Sequence, residues 1–562
     1  MSVWPRAQPG RADQLSAGQT GPGQTGAAHA RGAPAPPGEP LSRPQPAAGH
    51  RRSRWVTVAA AAVAGLVLFV CYWRLSRTVV VNSDGASNAL QAWDMLHGNL
   101  LLHGWNLSDV SFYTTELPEY MLVELAAGIN AGVVHVAAAM TYTLVVVLAA
   151  LLARGSATGR AGLIRAAVAA GIMLAPQMGN GVYTLILSPD HVGTVVPVLV
   201  AWLILDRARP RWYVPVVIGA LLAWALVADA LVLYIAVVPL ALVCAIRVYQ
   251  EAVQQRRPWT AQWYPISLGA AALISAGVAH LLAVALRAAG GYQVQPTLGG
   301  FATPAALANH MWLGVETVLV LFGADFFGRP FQSAATVEAV FHLAGFALAA
   351  WAVWTGGRRF WRDRDLVPAL LVAAVLINLA GFLLSTRVAD VRSAREIAEV
   401  LPFGAVLAAR LLSARLAAAR LIPVLLVALL GYVAILGREV VVPAPPAPAQ
   451  QLANWLVARH FHDGLAAYWT ASVTTLSSHD RVQVSPVCGN GRRFTREQWE
   501  AQASWYDPAH RNADFLVIGG PAFCNDATAA EARSVFGPPV RTYHVAGYAV
   551  LVWHQNLLAR LG

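Results

Sequence analysis

Apolar runs of membrane-crossing length alternate with short arginine-rich segments over most of the chain, and this alternation is its main pattern. At 1.5 Å of rise per residue, about 20 apolar residues cross a bilayer core. Runs at 55–73, 131–152, 162–177, 193–205, two within 212–246, 265–286, 337–354, 366–384, 397–412 and 421–436 predict a polytopic α-helical membrane protein with about eleven transmembrane helices. The pair within 212–246 is expected to turn near Asp229, and an amphipathic or re-entrant segment is expected up to Phe331. Residues 1–50 are rich in Pro, Gly, Ala and Gln without apolar period, which predicts a disordered cytoplasmic tail. The membrane domain then covers 51–437, with a long outer loop at 74–130. A Pro-Ala linker, 438–450, leads into 451–562, where the pattern changes. A helix over 451–461, strands at RVQVSPV and ADFLVIGG, and a hairpin turned at Ala546 and Gly547 predict a small extracytoplasmic α/β domain.

Composition narrows the class. With 57% hydrophobic and 12% charged residues the chain is no ordinary soluble globule. A net charge of +11 would suit nucleic acid, but the arginines sit in short segments between apolar runs, where the positive-inside rule expects them. The basicity therefore reads as topology, with no nucleic-acid partner. The basic residues are all Arg, as in a GC-biased bacterial genome. The parity gives a multi-pass plasma-membrane protein, amino terminus cytoplasmic and carboxyl terminus extracytoplasmic. No cleavable signal precedes the first run, which reads as an anchor. Of the four cysteines, Cys71 and Cys244 lie in apolar runs. Cys488 and Cys524 share the outer domain and are expected to form a disulfide worth about 4 kcal/mol.

Eleven spans bring three polar segments to the outer face. The first, 82–120, carries Asp84, Asp94, Asp109, Glu116, Glu119, His97 and His103. The second is SPDH, with Asp190 and His191, and the third is STRVADVRSARE, with Arg387, Arg392 and Arg395. Carboxylates facing guanidinium groups at a membrane surface suit a substrate with a lipid-linked phosphate and a partner hydroxyl to be deprotonated. Plainer readings stand beside this one. Asp84 is also a turn former in Ser-Asp-Gly, Glu116 and Glu119 suit a helix start, and Asp190 suits an N-cap. His191 alone reads as structural, the three arginines have acids nearby in sequence, and Asp229 reads as a solvated turn residue.

A short cytoplasmic segment, one span and a long first outer loop opening on the Asp of NSDG resemble the GT-C superfamily of polyprenyl-phosphate-dependent glycosyltransferases. The branch nearest in layout holds the protein mannosyltransferases and the aminoarabinose transferases. The resemblance covers roughly 51–436. It implies transfer of a sugar from a polyprenyl-phosphate donor to an envelope glycan, lipid or protein acceptor at the surface of the membrane lipid. Asp84 takes the place of the family's first-loop base, and the helix from AREIAEVLPFGAVLAAR that of the helix with an Arg at the lipid phosphate. With the outer-face placement of the three segments, Asp84, Glu116 and Asp190 are candidate catalytic residues, and Glu119, His191, Arg392 and Arg395 candidate substrate-binding residues. Two departures stand out: TTELPEY replaces a His-Pro-Pro-like turn, and Gly85 stands where the family has a second acid. A divalent cation, Mg or Mn, is therefore a possible cofactor without an assigned ligand set. Other functional classes that fit the span count are a lipid or glycan transporter or flippase, and a non-catalytic GT-C-like scaffold in envelope assembly.

Overall fold

The computed structural model describes residues 48–296, 299–362, 364–416, 421–521, 524 and 527–562. The tail expected over 1–50 lies outside the described residues except for the first turn of a helix starting at Ala48. Contacts divide the chain into Met1–Ala59 and Ala60–Gly562, and every candidate functional residue belongs to the second.

The helices run in order α1 (Ala48–Ser76), α2 (Ser83–Leu96), α3 (Glu116–Ala127), α4 (Gly132–Arg154), α5 (Gly159–Met173), α6 (Asn180–Ile186), α7 (Val192–Arg207) and α8 (Tyr213–Ala228). They continue with α9 (Leu233–Gln254), α10 (Trp263–Ala288), α11 (Pro304–Leu321), α12 (Ala334–Arg359), α13 (Leu366–Leu384), α14 (Val400–Leu416) and α15 (Ile422–Glu439). Among the described residues, seven are long and apolar enough to cross a membrane: α1, α4, α9, α10, α12, α13 and α15. The four other predicted spans coincide with shorter helices. Helices α5, α7, α8 and α14 have 15, 16, 16 and 17 residues. At 1.5 Å each they fall short of a hydrocarbon core of about 30 Å. Trp202 on α7 and Phe403 on α14 are fully buried in the main apolar cluster, whereas α5 and α8 each keep an exposed apolar face with Leu163 and with Val216 and Trp224.

The stretch 82–120 is not the loop its polarity suggested. Asn82 caps α2 by accepting the Gly85 N–H, and β1 (Trp105–Leu107) and the start of α3 follow. Strand β1 pairs in parallel with β2 (Gln293–Val294) and antiparallel with β6 (Ala501–Gln502), so a three-stranded sheet gathers distant parts of the chain. The C-terminal region is α/β, with helices α16 (Pro448–Ala458), α17 (Tyr468–Ser477) and α18 (Ala529–Phe536). Its sheet has the order β5-β4-β3-β7-β9-β8, built from β3 (Asp463–Ala466), β4 (Gln483–Gly489), β5 (Phe494–Arg496), β7 (Ala513–Ile518), β8 (Arg541–Val545) and β9 (Tyr548–Val552). Strands β3, β4 and β7 are parallel, and α17 connects β3 to β4. The β8–β9 hairpin turns at Ala546 and Gly547, both with positive φ, as a two-residue turn of this hand requires. The sheet does not stand apart. Trp505 and Leu516 share an apolar cluster with Leu90, Trp105 and Tyr120, and each such side chain stabilises the contact by about 1.5–3 kcal/mol. That shared core lays α17 along α2 and fixes the site between them, where Ser83 Oγ donates to Tyr468 O at 2.6 Å and Ser87 meets Ser472 at 2.9 Å.

Candidate active site

Asp84 lies in the first turn of α2, where the helix dipole favours a carboxylate. Three side chains hold it. Asn82 Nδ2 donates to Oδ2 at 3.1 Å, Arg395 Nη1 pairs with Oδ2 at 3.3 Å, and Tyr468 Oη reaches Oδ1 at 2.7 Å. Arg395 comes from a 3-10 helix, Val391–Ile397, whose cap is Asp390 accepting the Arg392 N–H at 2.8 Å. Asp390 is therefore engaged in capping, and the arginines of this segment look elsewhere. Arg387 pairs with Asp109, and Arg392 stacks over the Tyr183 ring at 5.2 Å, beside the Asp84–Arg395 pair.

The SPDH turn closes the floor. Asp190 does not cap α7 with its side chain. It accepts from Asn88 Nδ2 at 2.9 Å and Ser188 Oγ at 2.7 Å. Burial raises its carboxyl above the usual range, and the neighbouring Asp84 raises it further, against the pull of Ser188, His191 and Arg395. Gly85 packs against the same turn, since a Cβ there would stand 2.9 Å from Val134 Cγ1 and 3.1 Å from Ser188 Cβ. The place where the GT-C pattern has a second acid has no room for one.

His191 adopts a positive φ of 62° and is buried. Its Nδ1 lies 2.8 Å from Asp229 Oδ2. Burial alone would lower the imidazole, but Asp229 and Glu396 outweigh it and bring the group to about 9, so His191 is a cation at neutral pH. The expectation that Asp229 is a solvated turn residue is corrected: it is buried, because α8 ends where His191 needs a counterion. Behind this pair Glu116 accepts Thr194 N–H at 3.0 Å and Thr194 Oγ–H at 3.1 Å, and also Thr115 Oγ–H. It is fully buried, and burial holds it well above the usual carboxylate range. A Cβ at Gly193 would collide with that carboxylate at 2.8 Å. Glu119 bonds Thr141 and lines a groove of about 260 Å³ with Val196, Pro197, Leu221 and Trp224; burial moves it up to about 7.

The structure thus brings Asp84, Asp190, His191, Arg392 and Arg395 together and sets Glu116 and Glu119 behind them. It adds Asn88, Tyr183, Asp229, Tyr468 and Glu500, which sequence reasoning missed as site residues. Asp229 carried a usable signal, an acid at the break of a long apolar run. Tyr468 and Glu500 carried none. At the far end of the C-terminal region Cys488 and Cys524 are joined, Cα to Cα 5.5 Å, with Glu497 against both sulfurs. His97 bonds its own helix at Trp93 O, and His103 bonds Gly290 O.

No protein-family profile matches the chain, and no curated protein does. Among solved structures it is similar to the oligosaccharyltransferase of Archaeoglobus fulgidus. The crystal structure of that protein in complex with zinc and sulfate gives a TM-score of 0.46 at 11% identity, covering 81% of this chain and 67% of that one. The structure tethered by a disulfide to an acceptor peptide containing the NVT sequon gives 0.42 at 12%, covering 81% and 68%. At those scores the likeness carries no inference about this chain's activity.

Proposed function

We propose that the protein is a membrane glycosyltransferase that moves a sugar from a polyprenyl-phosphate donor to an acceptor hydroxyl at the extracytoplasmic face, with inversion. The observation that carries this reading is the Asp84–Arg395 pair, a carboxylate and a partly open guanidinium 3.3 Å apart at one surface cluster. Asp84 is the general base. It takes the acceptor proton as the acceptor oxygen bonds to the anomeric carbon, while the bond from that carbon to the phosphate oxygen breaks and its electron pair leaves on the phosphate. Arg395, with Arg392 held over Tyr183, meets that phosphate, and His191, raised by Asp229 and Glu396, adds a third positive charge nearby. Asp190, Asp229, Glu116 and Glu119 are positioning groups in this scheme.

A Mg or Mn ion would need several converging oxygens. Among the described residues the group with three ligand atoms within 4.8 Å of one another is Cys488, Glu497 and Cys524, not the Asp84 cluster. Asp84 is already engaged by Arg395, Asn82 and Tyr468, so the cluster does not fit a cation, and guanidinium groups meet the leaving charge instead.

The test uses purified Asp84→Asn protein and a polyprenyl-phosphate-linked hexose. The amide keeps the shape and loses the proton acceptor, so transfer should fall about 10²- to 10⁴-fold with donor binding retained. Transfer at the unmutated rate would sink the assignment.

A further inference from the structure

Tyr468 Oη stands 2.7 Å from Asp84 Oδ1 and 2.5 Å from Glu500 Oε2. Each of these short oxygen–oxygen contacts needs a proton between its atoms, and a phenol carries one. The second proton must sit on a carboxyl. Asp84 is the poor holder, because Arg395 lies against its other oxygen and favours the anion. Glu500 is buried, and the groups facing it are Asp84 on α2, Tyr468 on α17, Asp190 in the turn before α7 and Ser108 after β1. None of those is a cation. Burial, and then the charge on Asp84, push the Glu500 carboxyl well above its usual range, and the same two causes raise the Tyr468 phenol.

We infer that Glu500 and Tyr468 form a proton-holding relay, Glu500 O–H to Tyr468 Oη and Tyr468 O–H to Asp84 Oδ1, which orients the Asp84 carboxylate and sets its basicity. At rest the three groups share two protons and one negative charge, and Arg395 draws that charge onto Asp84. The other groups facing Asp84 are Asn82, Tyr183 and Asp190. When Asp84 takes the acceptor proton, the trio holds three protons and no charge. Arg395 then loses its counterion at the moment the phosphate becomes an anion, and the guanidinium can pass from one to the other. Neither Tyr468 nor Glu500 touches substrate, and both are positioning residues. This consequence for transfer rests on the proposed base role of Asp84, whereas the shared proton does not.

Two measurements on the full-length protein separate those statements. In infrared difference spectra at neutral pH, Glu500→Gln should remove a protonated-carboxyl band that the unmutated protein shows; spectra without that difference overturn the relay, whatever reaction the protein performs. In pH profiles of kcat/KM for transfer from a polyprenyl-phosphate-linked hexose, Tyr468→Phe should move the acid limb upward by about one pH unit, since the lost donor had favoured the charged form of Asp84. Glu500→Gln, whose amide still donates to Tyr468, should lower kcat/KM and leave the limb where it was. A limb moved downward would mean that Glu500 is an anion and would overturn the relay. Absence of transfer by the unmutated protein would count against the glycosyltransferase reading and leave the infrared result to decide the relay.

Discussion

Arg395 and Arg410 each pair with aspartate, and the two pairs differ in what surrounds them. Arg410 is closed. Its side chain is 6% exposed, it pairs with Asp206 at 2.5 Å and with Asp365 at 3.5 Å, and its Nε donates to Leu152 O at 2.9 Å. Gly155 makes room for it, since a Cβ there would stand 2.9 Å from the guanidinium. Every side of that group is spent on tying the ends of α4, α7, α13 and α14 together. Arg395 keeps 40% of its side chain exposed, although Asp84 opposite it is only 13% exposed. A cation enclosed by protein stabilises the fold, whereas one left half open beside a buried carboxylate is available to a third party. Burial of the arginine itself separates the two, since the partners Asp206 and Asp84 are 10% and 13% exposed.

Removing each arginine should break the comparison in opposite ways. Arg410→Ala leaves Asp206 buried and unpaired, and should cost about 3–5 kcal/mol of stability, read as a lower midpoint in thermal or denaturant unfolding. If Arg410→Ala melts with the unmutated protein, the closed clamp is misread. Reducing the Cys488–Cys524 bond, or replacing Cys488 by Ser, should cost about 2–4 kcal/mol in the C-terminal region, and a thiol count on unreduced protein should find Cys71 and Cys244 alone. Arg395→Ala should instead weaken donor binding and transfer by about 10- to 150-fold, the worth of about 1.5–3 kcal/mol of contacts to a charged group. Its unfolding midpoint should fall less than that of Arg410→Ala, because Asp84 keeps its bonds to Asn82 and Tyr468.

A further effect is expected in pH. The folded His191 titrates at about 9, above the ordinary value of about 6.5. A raised folded value means that its stabilisation is complete below about 6.5 and is lost as pH rises through about 9. Unfolding midpoints of the unmutated protein should therefore fall across that window, and the fall should be shallower in His191→Gln. Equal slopes would detach His191 from Asp229.

The sequence exposed some of this and hid the rest for physical reasons. Helix α13 appears at the expected 366–384, because an unbroken apolar run has one outcome in a membrane. The β8–β9 hairpin was legible because Ala-Gly between alternating strands leaves few turns available. Helix α2 reads as loop from sequence because Asp84, Asn88, Gln91 and Asp94 make it polar, and the burial of Asn88 and Gln91 cannot be seen in their residue type. For the site, arginine parity put Asp84, Asp190 and Arg395 on one face, and the fold brings them into one cluster. Glu500 is delivered next to β6, which pairs with β1 about 400 residues earlier, and Tyr468 reaches Asp84 across 384 residues, distances over which no local pattern carries information.

The small sheet β2-β1-β6 sets an order of events during synthesis. Trp105 pairs with Gln502 and Asn106 with Ala501, so β1 must wait for a partner made about 400 residues later. At about 5–20 residues per second a ribosome leaves an interval of roughly 20–80 s in which the membrane helices can insert while that edge is unpaired. Asp84 and Arg395 can meet in that interval, but Tyr468 and Glu500 have not yet arrived. A ribosome stalled between Arg395 and Tyr468 therefore leaves a chain that carries Asp84 and Arg395 without the two side chains that the C-terminal region adds behind them.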